Sequence, residues 1–396
     1  MKLAVVCTHP IQYFSPWFRY LASETDRLRL GLRNKPAKEF QFEVFYAHKQ
    51  TGKGQAEAGF GVEFEWDVPL LQGYPYRFLG NVSRKPGLEW FGGCDCPEIA
   101  EILVREGFTH VLLIGWHKKV FWQAFLGAKK AGIKVLSRGD SHLGKQKNPV
   151  KILTKEILYR IFLPRFDAHL YVGQKNLEYL RHYGVPEKRL FFSPHFVDNE
   201  WWGSRAAADD SMGMKVGNKE RCPAFLYAGK FTDEKRPLDP LFALREVPEA
   251  KLIYVGDGPL RGLLERNSQK LGLSDRVEFF GFKNQQQLPS ILAKADCLIL
   301  PGNETWGLIV NEAMACGTPA IVSTGCGCEA DLIVEGETGY SFPVGDTHAL
   351  AGRLQEFIRH RDRDWASKVR AKISQYTVEK ATEGLFRALK DIEVKS

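Results

Sequence analysis

Short β-branched runs alternate with helical stretches along almost the whole chain, in two separate series. A strand that returns in the same direction after a helix must cross over its sheet, so this alternation builds parallel sheets covered by helices on both faces. The first series supplies strands at Lys2–Cys7, Phe42–Ala47, His110–Gly115, Lys134–Arg138 and Ala168–Val172. Helices are expected between them at Pro16–Ser23, Glu98–Glu106, Phe121–Ala131, Val150–Leu163 and Asn176–Tyr183. A second series begins near Ala224, with strands Ala224–Gly229, Lys251–Gly256, Val277–Gly281, Cys297–Pro301 and Ala320–Ser323. Between the two lie Ser193–Asp198 and the polar stretch Ser204–Arg221, which reads as a linker. At 396 residues the chain exceeds one comfortable hydrophobic core. The expected class is therefore α/β with two Rossmann-like domains, 1–198 and 199–375, and a last amphipathic segment near Val378–Leu389 that no strand follows. The stretch Gln50–Gly93, rich in Gly, Pro and aromatic residues, fits neither pattern; a substrate-facing insertion and a plain surface excursion are both open.

Charge divides unevenly. Residues 1–198 hold 29 Lys and Arg against 19 Asp and Glu, whereas 199–396 hold 26 against 28. A basic first half points to anionic partners: a phosphorylated substrate, a membrane surface or nucleic acid, the last resting on net charge alone. The segment 145–165 concentrates this charge: Lys145, Lys147, Lys151, Lys155, Arg160 and Arg165 face a single acid, Glu156. Ile152, Ile157, Leu158, Ile161 and Phe162 lie between them, so the helix suits either an anionic membrane or the ordinary packing of an α/β domain. No apolar run approaches the roughly 20 residues of a membrane span, and Met1–Cys7 is too short for a signal peptide, so a cytoplasmic location is expected. Cys94/Cys96 and Cys326/Cys328 form C-x-C pairs without the two-residue gap of common zinc and redox motifs, and reduced thiols are expected.

The chemistry concentrates in Pro301–Pro319. The strand Cys297–Pro301 runs into a loop carrying Glu304, and a helix follows from about Gly307 to Cys316, with Gly317 in the usual stop position and Pro319 beyond. Glu304 thus sits at the C-terminal edge of a parallel strand, where α/β sheets bind ligands, and Glu312 lies in the early turns of the helix. Backbone N–H groups of Thr305, Trp306, Gly307, Leu308 and Ile309 would face the same crevice and favour phosphate oxygens. Two carboxylates beside an anion site make sense as acceptors for sugar and ribose hydroxyls, provided that cations meet the phosphates. Lys230 and Lys235, just past Gly229 on the first strand of the second series, supply them. Gly256-Asp257-Gly258-Pro259 and Gly281-Phe282-Lys283 end two further strands on the same edge; Gly256 is at least partly a turn requirement.

Taken together, Gly229-Lys230…Lys235, Val255–Pro259, Phe279–Gly281, the Glu304-x7-Glu312 block and Gly336-Glu337-Thr338-Gly339 resemble the retaining glycosyltransferases of the GT4 type, which have the GT-B fold. The resemblance covers nearly all of the second half. It implies two Rossmann-like domains facing across a cleft, with the last helix, within 376–396, crossing back onto the first. It implies that Lys230 and Lys235 hold a donor diphosphate, Lys230 standing where arginine is more usual. Glu312 would bind the ribose, Glu304 the donor sugar, and the backbone around Phe282 the base. The donor would be a UDP- or GDP-linked sugar, the acceptor a sugar, a lipid-linked or a small molecule, and neither a metal nor a cofactor is implied.

The first half matches more weakly. Ser193–Asp198 looks like the family's domain-joining element, but the loop Thr8-His9-Pro10-Ile11-Gln12-Tyr13 lacks the usual glycine pair. Where many members carry a histidine against the donor sugar, this chain has Gly139-Asp140-Ser141-His142, and Asp140, His142 and His9 are all open as the replacement. His117 and Trp116 suit either a ligand contact or a structural role. A nucleotide-sugar epimerase or hydrolase of the same fold, and a non-catalytic nucleotide-sugar-binding subunit, are the alternative functions.

Overall fold

The computed structural model describes residues 1–29, 40–49, 62–145, 149–208 and 222–394. Seven strands make the first sheet: β1 Lys2–Cys7, β2 Gln41–Tyr46, β3 Tyr76–Phe78, β4 His110–Ile114, β5 Lys134–Gly139, β6 Ala168–Tyr171 and β7 Leu190–Phe192, in the order β3-β2-β1-β4-β5-β6-β7. Six make the second: β8 Ala224–Ala228, β9 Lys251–Val255, β10 Val277–Gly281, β11 Cys297–Leu300, β12 Ala320–Ser323 and β13 Gly339–Phe342, in the order β10-β9-β8-β11-β12-β13. All pairings between these strands are parallel. Both sheets thus repeat one doubly wound pattern, in which the first strand lies between the second and the next crossover. The central strands are apolar on both faces because helices cover both: Leu3, Ala4, Val5 and Val6 are wholly buried, as are Phe225 and Leu226.

Three strands escaped the sequence pattern: β3, β7 and β13. Each lies at a sheet edge and spans only three or four residues, too few to show a period. The segment after Gly61 is not a simple surface excursion. Its chain crosses to the second half, where Asn284 Nδ2 donates to the Glu65 carbonyl at 2.7 Å and the Gln286 amide nitrogen donates to Asp67 Oδ2 at 3.1 Å.

The helix Trp365–Ile373 packs on Leu308–Cys316 in the second half. The next helix, Val378–Val394, instead lies on the first sheet, burying Ala381, Leu385, Ala388 and Leu389 in one cluster with Leu3, Val5, Trp17 and Phe196. Trp17 Nε1 donates to Thr382 Oγ1 at 3.0 Å, and Phe386 meets Phe40 edge-on at 5.3 Å. Close approach of this helix to β7 depends on Gly384, where a side-chain carbon would stand 2.0 Å from the Phe192 carbonyl oxygen. Gly384→Ala is therefore expected to cost about 2 kcal/mol, as overpacking of a closed interface does. Equilibrium denaturation reads this as a lower midpoint, and an unchanged midpoint would show that the helix docks less tightly than described.

The eight cysteines are all free thiols, and burial pushes Cys94 up to about 11 and Cys326 up to about 12, which keeps them protonated. Among the described residues no helix is long and apolar enough to cross a membrane.

Candidate active site

In a doubly wound sheet the loops after the two central strands diverge and leave a crevice at the C-terminal edge. Here the loops after β1, β4 and β5 face those after β8, β9 and β11, and between them lies a cavity of about 860 Å³. Glu304, Glu312, Lys230, Lys235, Asp140, Gly229, Gly256, Phe282 and the run Thr305–Ile309 all line it. Residues more than 160 positions apart, such as Asp140 and Thr305, are thus brought to one place.

The second-domain wall is built from strand ends. Gly256 has φ +132°, and a side-chain carbon there would stand 2.0 Å from the Gly229 carbonyl oxygen, so glycine lets the ends of β8 and β9 close on each other. The loop after β8 then carries Lys235 to Glu304, with Nζ 2.6 Å from Oε2. Burial lowers the Lys230 ammonium below its ordinary value, and the nearby Lys235 charge lowers it further. An arriving diphosphate would relieve that repulsion. The helix Leu308–Cys316 starts at Gly307 in the left-handed region, φ +107°, with no side chain capping it. Gly307, Leu308 and Ile309 line the cavity, so this helix N-terminus borders it and suits phosphate oxygens. Trp306 differs from its neighbours. It lines the cavity, but its indole is buried and donates to Asn311 Oδ1 at 2.8 Å, which is a packing role.

Glu312 is buried, and burial pushes its carboxyl up to about 8, partly offset by a hydrogen bond with the Tyr13 side chain. Tyr13 comes from the irregular loop after β1, so the place left by the missing glycine pair holds a phenol directed at the expected ribose contact. The other wall brings Asp140 from the end of β5. Thr305 Oγ1 donates to Asp140 Oδ2 at 2.7 Å, and His195 Nε2 stands 3.6 Å from the same oxygen. Burial alone would raise this carboxyl, but the His195 and Thr305 contacts outweigh it and hold it below the usual carboxylate range. Asp140 is therefore an anion in the cleft.

His142 is turned to a different task. Its Nδ1 accepts from the Gly144 amide at 3.2 Å, so Nε2 is the protonated nitrogen that meets the Glu304 carbonyl at 2.9 Å. It ties the two walls together and does not line the cavity. His9 and His117 do line it, and burial lowers both, His9 to about 4, so each is neutral near pH 7. Trp116 both covers the end of β4 and lines the cavity. Phe282 lies against Phe64 from the opposite domain, ring centroids 4.3 Å apart, with Trp66 beside it.

Among the cavity-lining residues, Tyr13, Arg138, His195 and Trp66 went unread as site residues. Arg138 sits on a buried strand, where its charge is held by Pro194 and Ser193 carbonyls at 2.8 and 3.4 Å and by the faces of Phe14, Trp17 and Phe196. An arginine at the end of an apolar strand was the one available signal. An Asp-x-Asp spelling occurs at Asp362–Asp364, but Asp364 caps the helix that begins at Trp365, accepting from the Ser367 amide at 3.1 Å, and neither acid lines the cavity.

Residues 213–380 match the family described as Glycosyl transferases group 1. Among curated proteins the chain is similar to N-acetyl-alpha-D-glucosaminyl L-malate synthase of Bacillus anthracis, 30% identical over 195 residues, covering 48% of this chain and 50% of that one. It is also similar to the GDP-mannose-dependent alpha-(1-6)-phosphatidylinositol dimannoside mannosyltransferase of Mycobacterium tuberculosis, 33% identical over 171 residues, or 41% and 43% of the two chains. The chain spans half or less of the length of these two relatives. Solved structures extend the likeness to the whole fold. Sucrose-phosphate synthase of Thermosynechococcus elongatus superposes with a TM-score of 0.72 at 18% identity, covering 100% of both chains. Anabaena HepE in complex with UDP gives 0.69 at 15% identity, covering 98% and 100%. The two-domain architecture of this chain is therefore the GT-B fold.

Proposed function

We propose that this chain is a glycosyltransferase that moves a sugar from a nucleoside-diphosphate sugar to an acceptor hydroxyl with retention of anomeric configuration, without a metal or cofactor. The observation that carries this reading is the division of labour across the cleft. One wall offers Lys230, Lys235 and an uncapped helix N-terminus for a diphosphate, and the facing wall offers an ionised Asp140 tied to Thr305.

In this reading Glu312 takes the ribose hydroxyls, the loop around Phe282 the base, and Glu304 the donor sugar. The acceptor hydroxyl attacks the anomeric carbon from the face on which the diphosphate departs. The C–O bond to the acceptor forms as the bond to the phosphate oxygen breaks, and the acceptor proton passes to a departing phosphate oxygen. Lys230, Lys235 and the helix N–H groups stabilise charge on that diphosphate, while Asp140 faces the positive charge developing on the sugar. Contacts that bridge the walls, including His142 to Glu304 and Lys175 Nζ to the Thr324 and Cys326 carbonyls at 2.8 Å, exclude water from the donor.

UDP- and GDP-linked donors both fit, since one relative is named for GDP-mannose and one structural neighbour for a UDP complex. The relatives' names also span acceptors from L-malate to a phosphatidylinositol dimannoside. A lipid-linked acceptor, with peripheral membrane contact through 145–165, is supported by the exposure of Ile157, Leu158 and Ile161; residues 146–148 of that segment, Lys147 among them, lie outside the described residues.

Incubation with UDP-glucose or GDP-mannose, followed by proton NMR of the anomeric signals, tests the reading. Consumption that depends on an added acceptor, with the product keeping the donor's anomeric configuration, is the expected result. Conversion of the donor without any acceptor would identify an epimerase or hydrolase of the same fold, and binding with no consumption a non-catalytic subunit.

A further inference from the structure

The wall that faces the donor half of the cleft carries an excess of positive charge. Its cavity-lining cations are Arg138 and Lys155, and its one cavity-lining acid is Asp140, already engaged by Thr305 and His195. Arg138 is 2% exposed and is satisfied from below by carbonyls and aromatic faces. Lys155 is different. Its Nζ lies over the rings of Tyr179 at 5.0 Å, Tyr159 at 5.2 Å and Tyr183 at 6.0 Å, and no ion pair to it is formed among the described residues.

The neighbouring acid makes no ion pair with it. Glu156 is taken by Arg160 at 2.6 Å and His182 at 3.0 Å. Burial lowers the Lys155 ammonium from its ordinary value, and the Glu156 charge offsets this only in part. A half-buried ammonium that lines a cavity and makes no ion pair among the described residues has hydrogens left to donate to an anion. The surrounding wall continues to the reaction centre. Trp116 stacks on Tyr179 with centroids 6.5 Å apart, and a side-chain carbon at Gly139, the residue before Asp140, would come within 3.0 Å of the Trp116 ring. The buried Tyr179 hydroxyl approaches Ser141 without completing a hydrogen bond.

We propose that Lys155, framed by Tyr159, Tyr179 and Trp116, is an anion subsite for the acceptor, and that the physiological acceptor carries a phosphate ester or carboxylate beside the hydroxyl that is glycosylated. This rests on the glycosyltransferase reading of the same cleft and narrows its acceptor class. The tyrosines hold the stem of the lysine in place, so the ammonium is presented without the entropy loss of fixing a free surface side chain. Two sources of the anion share this chemistry: a free small molecule and the headgroup of a lipid.

The test uses the full chain with a nucleoside diphosphate present, so that Lys230 and Lys235 are occupied. Calorimetric titration with sn-glycerol 3-phosphate and with glycerol compares the charged and neutral forms of one probe. The wild type is expected to bind the phosphate ester at least about tenfold more tightly than glycerol, a preference that Lys155→Met abolishes and Lys155→Arg largely keeps. Lys155→Met should leave nucleoside diphosphate affinity unchanged, which also shows that the variant is folded. Co-sedimentation with phosphatidylglycerol vesicles, compared with phosphatidylcholine, separates the sources. Loss of sedimentation in Lys155→Met points to a lipid headgroup, whereas phosphate-ester binding without sedimentation points to a free acceptor. Equal binding of the phosphate ester by wild type and Lys155→Met, or no preference over glycerol, would overturn the proposal. If no nucleoside diphosphate binds, the donor reading fails separately. The subsite is then judged by whether phosphate-ester binding is lost in Lys155→Met and kept in Lys235→Ala.

Discussion

Lys235→Ala is expected to lower kcat by about 10²- to 10³-fold with the preferred donor and acceptor, with a smaller change in KM. The argument starts from the 2.6 Å contact between Lys235 Nζ and Glu304 Oε2. In the free protein the lysine answers a largely buried carboxylate, and in the reaction it would answer the charge that grows on the departing diphosphate. The second role is stronger in the transition state than in the ground state, so the loss falls mainly on turnover. Lys235→Arg keeps the charge and should recover much of the rate, although a planar guanidinium does not reproduce the point contact of an ammonium. Steady-state kinetics of the three proteins decides the matter. A fall confined to KM would make Lys235 a binding residue only, and no change would remove it from the site.

Glu312→Gln should separate stability from function. The Glu312 carboxyl has an ordinary value of 4.5 and is pushed up to about 8 by burial. A group raised in the folded state contributes its full stability below its unfolded value and loses it as the pH rises through the folded one. Between about pH 4.5 and 8 the wild type therefore gives up as much as about 1.4 kcal/mol per pH unit relative to a neutral side chain. The glutamine variant escapes this, so it should lie within about 1 kcal/mol of the wild type near pH 5 and exceed it by about 4 kcal/mol at pH 8. Its donor affinity should fall by about a hundredfold, because charge-assisted hydrogen bonds to two hydroxyls are lost. In the wild type, affinity for a nucleotide sugar should rise toward pH 8 and then level off, since ribose hydroxyls favour the ionised acceptor and the donor's diphosphate diester does not titrate there. Denaturation curves and donor titrations from pH 5 to 9 provide the check. A variant that is less stable than wild type yet binds donor equally well would make Glu312 a structural residue.

The second sheet's share of the cavity lining was legible because it lies in local segments. Glu304 and Glu312 are eight positions apart on one loop and helix, and Gly229, Lys230 and Lys235 follow a single strand. Strand ends in a parallel sheet share one edge, so motifs at several ends converge without any knowledge of packing. The first domain resisted for the opposite reason. Asp140 was visible as an acid after β5, but His195 reaches it from the segment joining the domains and Thr305 from the other domain. Tyr13 carried no signal of its meeting with Glu312, 299 positions later. Phe64 and Trp66 fell in a stretch without periodicity, and only the folded chain sets them against Phe282. Edge strands of three or four residues were missed because their pairing is set by neighbours.

The central claim is that this cleft holds a nucleoside diphosphate between Lys230, Lys235 and Glu312. A thermal-shift titration with UDP, GDP, dTDP and ADP tests it most directly, because a ligand that binds only the folded protein raises Tm with concentration. The account predicts that one diphosphate stabilises the wild type in a concentration-dependent way, that Glu312→Gln needs about a hundredfold more of it for the same shift, and that Lys235→Ala weakens the effect to a smaller degree. No shift with any of the four at millimolar concentration, and none with the corresponding nucleotide sugars, would contradict it.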